Sequence, residues 1–188
     1  MSIDAQEPTA WEPSLKGPKI VRMFPDYADT VLWINEPIDY SRTCLSDALV
    51  EELNAWEQLF YDSLNRDYAF DSPGLEDQFT RAGISLAKKV ASEIGSDFIV
   101  EYAGAASLNE PLHYTCPGTA SNKQAAASFQ KLFSDVRREE KRMAKLIARG
   151  SLYAYAPLSG QVFDPSGVLA GRNQPLAGKP RRSKKRKK

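Results

Sequence analysis

The amino-acid sequence predicts an α+β fold: a small three-stranded sheet covered by two helices, followed by a basic amphipathic helix and a disordered tail. Three observations carry this expectation. Short β-prone runs at 20–24, 30–34 and 97–102 bracket two stretches of helical periodicity. The resulting order of strand, strand, helix, helix, strand is that of a short sheet with helices on one face. The last quarter of the chain is rich in glycine, proline and cations and cannot bury enough surface to offset its ordering entropy.

Residues 1–18, with Pro8, Pro13 and Pro18, read as an irregular N-terminal arm. An acidic α+β domain is expected over 19–102. Its first two strands, Ile20 to Phe24 and Thr30 to Ile34, are separated by Pro25-Asp26-Tyr27-Ala28-Asp29, which predicts a hairpin with a five-residue loop. Ser46 followed by Asp47 reads as a capped helix start. Leu45, Leu49, Leu53, Trp56, Phe60 and Leu64 then recur at spacings of four, four, three, four and four, one apolar stripe on an amphipathic helix. A second helix runs from Ser72 or Pro73 to Ile94, with Leu75, Phe79, Leu86, Val90 and Ile94 inward and Gly95 as its stop. Asp97 to Tyr102 is the third strand. Trp33 and Trp56 are expected in the core.

Residues 103–122, full of small and breaker residues, read as a linker. The basic amphipathic helix follows at 123–150, with Phe129, Leu132, Phe133, Val136, Met143, Leu146 and Ile147 on one side and Lys131, Arg138, Arg142, Lys145 and Arg149 on the other. Residues 151–188 read as a mostly disordered polybasic tail.

The near-neutral total of +1 hides a separation of charge. Residues 1–110 carry 20 acidic against 8 basic side chains, a balance of −12, and residues 111–188 carry 4 against 17, a balance of +13. Net charge bears on partners and association rather than on topology, so this points to binding rather than catalysis. Two cysteines, Cys44 and Cys116, are too few for a disulfide framework. The chain starts without a basic or apolar leader and has no run of the roughly 18 apolar residues a membrane span needs, so a cytoplasmic protein is expected.

Across Val21 to Tyr102, the residues Pro25-Asp26-Tyr27, Val31-Leu32-Trp33, Leu45-Ser46 with Leu49, Leu53 and Trp56, Leu86, Glu93-Ile94-Gly95 and Val100-Glu101-Tyr102 form a recognisable pattern. In it the chain resembles a group of small, mostly uncharacterised actinobacterial proteins. The resemblance implies a bacterial source and a shared fold, and brings no activity with it.

Asp26, Asp29, Glu36 and Asp39 crowd the hairpin region, and Glu51 and Glu57 lie on the first helix. No calcium-loop spacing accompanies them, so a solvated turn or a surface for a basic partner is the reading rather than a metal site. Asp26, Asp29, Glu51 and Glu57 are therefore the candidate protein-binding residues, and Trp11 in the arm is a candidate aromatic anchor. The candidate nucleic-acid contacts are Arg138, Arg142, Lys145 and Arg149 on the third helix and Arg181, Arg182, Lys184, Lys185, Arg186, Lys187 and Lys188 in the tail. The eight cations of 179–188 would give duplex binding a log-log salt slope of roughly −7, while the bland reading is a solvated tail. The cationic helix could likewise pack on the acidic domain or mediate self-association.

His113 and Cys116 fit neither a zinc pattern nor an oriented nucleophile pair, and phosphate loops and dinucleotide fingerprints are absent from the sequence. The expected function is that of a non-enzymatic interaction protein, immunity-like, antitoxin-like or an adaptor, whose acidic surface receives a basic protein, without a cofactor. A nucleic-acid-associated protein acting through the third helix and tail is the alternative.

Overall fold

The computed structural model describes residues 17–26, 28–103 and 110–149, with the backbone of 154–156 and 161–163. The chain divides into two compact units, 14–139 and a second made of 1–13 and 140–188.

In the first unit, β1 (Ile20–Met23) pairs antiparallel with β2 (Leu32–Trp33) and parallel with β3 (Ile99–Tyr102), and β3 pairs antiparallel with β4 (Leu112–Tyr114). The sheet order is β2-β1-β3-β4. The expected β1–β2 hairpin is present, but its strands are shorter than expected and residues 24–31, eight rather than five, connect them, and the sheet has four strands, not three. The fourth comes from the stretch read as a linker: three residues between Pro111 and Pro117 carry no visible alternation, and β3 supplies the edge they pair with. The helices are α1 (Asp47–Asp62), α2 (Pro73–Ile94) and α3 (Lys123–Ala148), the last extending into the second unit.

Strand alternation builds the core. Val21, Met23, Val100 and Tyr102 are completely buried, while Arg22 between them is exposed. They share one apolar cluster with Leu49, Leu53 and Trp56 of α1 and Phe79, Ala87, Val90 and Ile94 of α2. Trp56 stacks on Phe79 at 4.6 Å between centroids and donates its indole N–H to the Phe79 carbonyl, so the large ring is buried without orphaning its donor. Gly83 makes this approach feasible. A Cβ there would stand 2.5 Å from the Tyr102 ring and 2.7 Å from that of Trp56. Burial pushes the Tyr102 hydroxyl up to about 12. Trp33 is not in the core as expected; it is partly exposed, stacked on Phe24 at 5.1 Å, with its N–H donated to the Phe24 carbonyl.

Three helix ends meet at Glu93. Its carboxylate accepts from the Ser46 amide at 2.9 Å, from the Ser46 hydroxyl and from Asn122 Nδ2 at 3.0 Å. Ser46 precedes α1 as the sequence predicts, yet its hydroxyl serves Glu93 and makes no cap bond to its own helix. Asn122 caps α3 by accepting from the Ala125 amide, and Ser72 caps α2 by accepting from that of Leu75. Gly95 ends α2 at φ +87°, a conformation that favours glycine.

The first half of α3 completes the core through Ala125, Phe129, Leu132 and Phe133, with Phe98 meeting the Phe129 and Phe133 rings at 6.0 and 5.7 Å. In the second unit, β5 (Ala154–Ala156) and β6 (Gln161–Phe163) form a two-stranded antiparallel sheet within the segment expected to be mostly disordered. Residues 164–188 lie outside the described residues. Among the described residues, no helix is long and apolar enough to cross a membrane.

Candidate partner-binding surface

The turn between β1 and β2 is held in shape from inside and outside. Within it, the Ala28 and Thr30 amides donate to the carbonyls of Asp26 and Ala28 at 2.7 and 2.6 Å. From outside, the Tyr61 hydroxyl donates to the Asp26 carbonyl at 2.8 Å and the Tyr40 hydroxyl accepts from the Val31 amide at 3.2 Å. The turn is thereby laid against the C-terminal half of α1, which brings Asp29 within electrostatic reach of Glu57. Partial burial raises the Glu57 carboxyl above its ordinary value, and the negative charge of Asp29 raises it further. Three candidates, Asp26, Asp29 and Glu57, thus occupy one corner of the fold. Glu51 does not join them: it is exposed on α1 six residues before Glu57, about 120° round the helix.

Asp39, Glu52 and Asp77 of the negative half have local partners. Asp39 accepts from the Ser41 amide at the start of a single 3-10 turn, Tyr40–Arg42, and the bonds from Ser41, with a smaller effect of Arg42, hold its carboxyl below the usual range. Glu52 pairs with Lys89, and Asp77 with Arg81 at 2.8 Å.

Beside that corner opens a cleft of about 640 Å³ whose walls include Phe24, Phe60, Tyr68 and Phe70, with Glu76 as an acidic wall residue. Sequence reasoning missed it, because its walls come from the β1–β2 turn, α1, α2 and the α1–α2 connection. Tyr68 is 76% exposed and sits at φ +60°, in the left-handed region that a bulky residue rarely adopts. Asn65 holds it there. Its side chain accepts from the Asp67 and Ala69 amides, its backbone carbonyl from the Tyr68 amide, and its own amide donates to the Ala69 carbonyl. A Leu64–Phe70 bridge closes the loop. The polar run Asn65-Arg66-Asp67 announces a turn, and Asn65 at its start was the one available sequence signal.

The candidate cations of α3, Arg138, Arg142, Lys145 and Arg149, are all exposed. Asp135 binds Lys131 at 2.7 Å and Arg138 at 3.1 Å, and those cations, Lys131 foremost, hold its carboxyl low. What seats the first half of this helix in the core of the first unit is its apolar side, through Ala125, Phe129, Leu132 and Phe133. Arg181, Arg182, Lys184, Lys185, Arg186, Lys187, Lys188 and Trp11 lie outside the described residues. His113 engages Glu101 rather than Cys116: Nε2 stands 3.0 Å from a carboxylate that also binds Arg22 at 3.1 Å. These three side chains cross the open face of the sheet in register. Among the described residues, no group of three or more histidine, cysteine or carboxylate side chains is placed to hold a metal ion.

No curated protein and no solved structure matches the chain. Residues 19–105, a little under half of it, match the family model described as Serratia CdiI immunity protein-like, a span that holds β1 to β3, α1, α2, the turn and the cleft.

Proposed function

We propose that this chain is an immunity-type protein, which acts by binding and neutralising a toxin protein rather than by catalysis, and that its acidic corner receives a basic surface of that toxin. The match over residues 19–105 supports the immunity reading. The observation that carries the surface assignment is the Asp26, Asp29 and Glu57 corner, where a turn pinned by Tyr61 holds two carboxyl groups close enough for one to raise the other. Bringing like charges together costs free energy, and an approaching cation returns it, so the arrangement favours a basic partner and steers its approach.

The test is affinity capture from the source cells with the full chain, identification of the captured polypeptide, and calorimetric titration of that polypeptide in purified form. The expected result is a basic polypeptide that arrests growth when expressed alone and not when co-expressed with this chain. Its affinity should fall at least tenfold in an Asp29→Lys, Glu57→Lys double variant, and with rising salt. A partner indifferent to both changes would overturn the surface assignment, and a partner harmless to cells would overturn the immunity reading.

The exposed cations of α3 favour a second reading, association with nucleic acid through Arg138, Arg142, Lys145 and Arg149 together with the tail. Its signature is a steep salt dependence of retention on DNA or RNA that disappears on truncation after Gly150.

A further inference from the structure

The aromatic cleft is a second element of the same surface. Phe24 and Pro25 line it and Asp26 follows directly in the chain; Phe60 lines it and the next residue, Tyr61, holds Asp26. Cleft and acidic corner therefore share an edge. The cleft offers aromatic rings, Phe60 and Phe70 meeting edge to face at 5.9 Å, together with the carboxylate of Glu76. At its mouth Tyr68 is displayed to solvent on a strained backbone, and Asn65 holds it there through a closed set of hydrogen bonds. Such strain persists where the surrounding structure over-determines it, and an exposed tyrosine beside a pocket has the character of an interface anchor.

From these observations we infer that the cleft receives an arginine side chain of the basic partner, its guanidinium stacked against the aromatic walls and Tyr68 and paired with Glu76. This rests on the proposed function and names the chemistry of its contact. Aromatic faces with one carboxylate select guanidinium over ammonium, because the planar, weakly hydrated cation stacks and hydrogen-bonds at once, whereas a lysine ammonium retains its water. The negative corner beside the cleft adds attraction for either cation, so the discrimination must come from the rings.

The experiment is an NMR titration of the 15N-labelled full chain with the capped dipeptides acetyl-Leu-Arg-amide, acetyl-Leu-Lys-amide and acetyl-Leu-Leu-amide. The arginine peptide should shift the amides of Tyr68, Phe70 and Glu76 saturably and bind at least threefold more tightly than the lysine peptide. Tyr68→Gly and Glu76→Gln should each weaken it threefold or more. Glycine tolerates φ +60°, and the Tyr68 ring is exposed, so Tyr68→Gly keeps the loop while deleting the anchor. Equal binding of the arginine and lysine peptides, equal binding of the leucine peptide, shifts confined to Asp29 and Glu57, or indifference to both variants would each overturn the inference. A toxin whose affinity depends on Asp29 and Glu57 but not on Tyr68 would sink the cleft and leave the immunity reading standing. Arginine-selective binding at the cleft without any protein partner would sink the immunity reading and leave the site.

Discussion

Helices α2 and α3 are both amphipathic and both exceed twenty residues, yet they are used differently. Buried residues run along α2 from Phe79 to Ile94, whereas those of α3 stop at Phe133, and Met143, Leu146 and Ile147 farther along are only half-buried. Both helices carry an apolar stripe in sequence. What differs is the surface each stripe meets: α2 packs along its length with α1 and the sheet in one cluster, while α3 contributes to that cluster through its first turns. An apolar stripe says which side of a helix turns inward, and the partner surface decides how far the burial extends.

The sharpest way to break this comparison is to truncate one large side chain from each stripe. Phe79→Ala should cost about 3–5 kcal/mol, and Met143→Ala at most about 1 kcal/mol, in urea unfolding of the full chain. Comparable losses would mean that the later turns of α3 are as firmly packed as α2. Next in size is Gly83→Ala. Helix propensity alone would favour alanine by about 1 kcal/mol, but the clash with Tyr102 and Trp56 should win and leave a net loss of about 1–3 kcal/mol. A stabilised variant would show that the rings yield more readily than close packing implies.

Glu93, in the last turn of α2, links that helix to the N-terminal ends of α1 and α3. Glu93→Ala should lose about 1–2 kcal/mol, because the Ser46 amide and Asn122 lose a charged acceptor at two helix N-termini. Hydrogen exchange would check it, with faster exchange expected in the first turns of α1 and α3 together. Exchange altered in one helix alone would mean the junction does not couple them.

The smallest effect concerns the acidic corner. Because the folded Glu57 carboxyl is raised, the native state holds its proton more firmly than the unfolded chain. Its contribution to stability is therefore fully present below the ordinary glutamate value and is lost as pH rises through the raised one. Asp29→Asn should lower the Glu57 midpoint in a 13C-detected titration and flatten that loss. An unchanged midpoint would show burial to be the whole cause.

Much of the first unit was legible because its signals are local. The periodicity of Leu49, Leu53 and Trp56, the Ser72 cap and the Gly95 stop place α1 and α2 within a residue or two of where they stand. The candidate surface was legible in part: three of four acidic candidates converge, and Glu51 does not. The helical angle between Glu51 and Glu57 could have excluded their sharing a face, but only the docked turn pairs Glu57 with Asp29.

By itself, then, the amino-acid sequence determined the α+β class, the hairpin, three helices with their inward sides, and the charge separation, all of which follow from side-chain type and short-range spacing. Only the tertiary structure decided that Leu112–Tyr114 is a strand, that Ser46 serves Glu93 rather than its own helix, that Trp33 lies outside the core, and that Tyr68 stands at the mouth of an aromatic cleft. Each of these depends on a partner in another element or connection, or on a cleft assembled from several elements. Such pairings are fixed by the whole packed arrangement, and no local pattern encodes them.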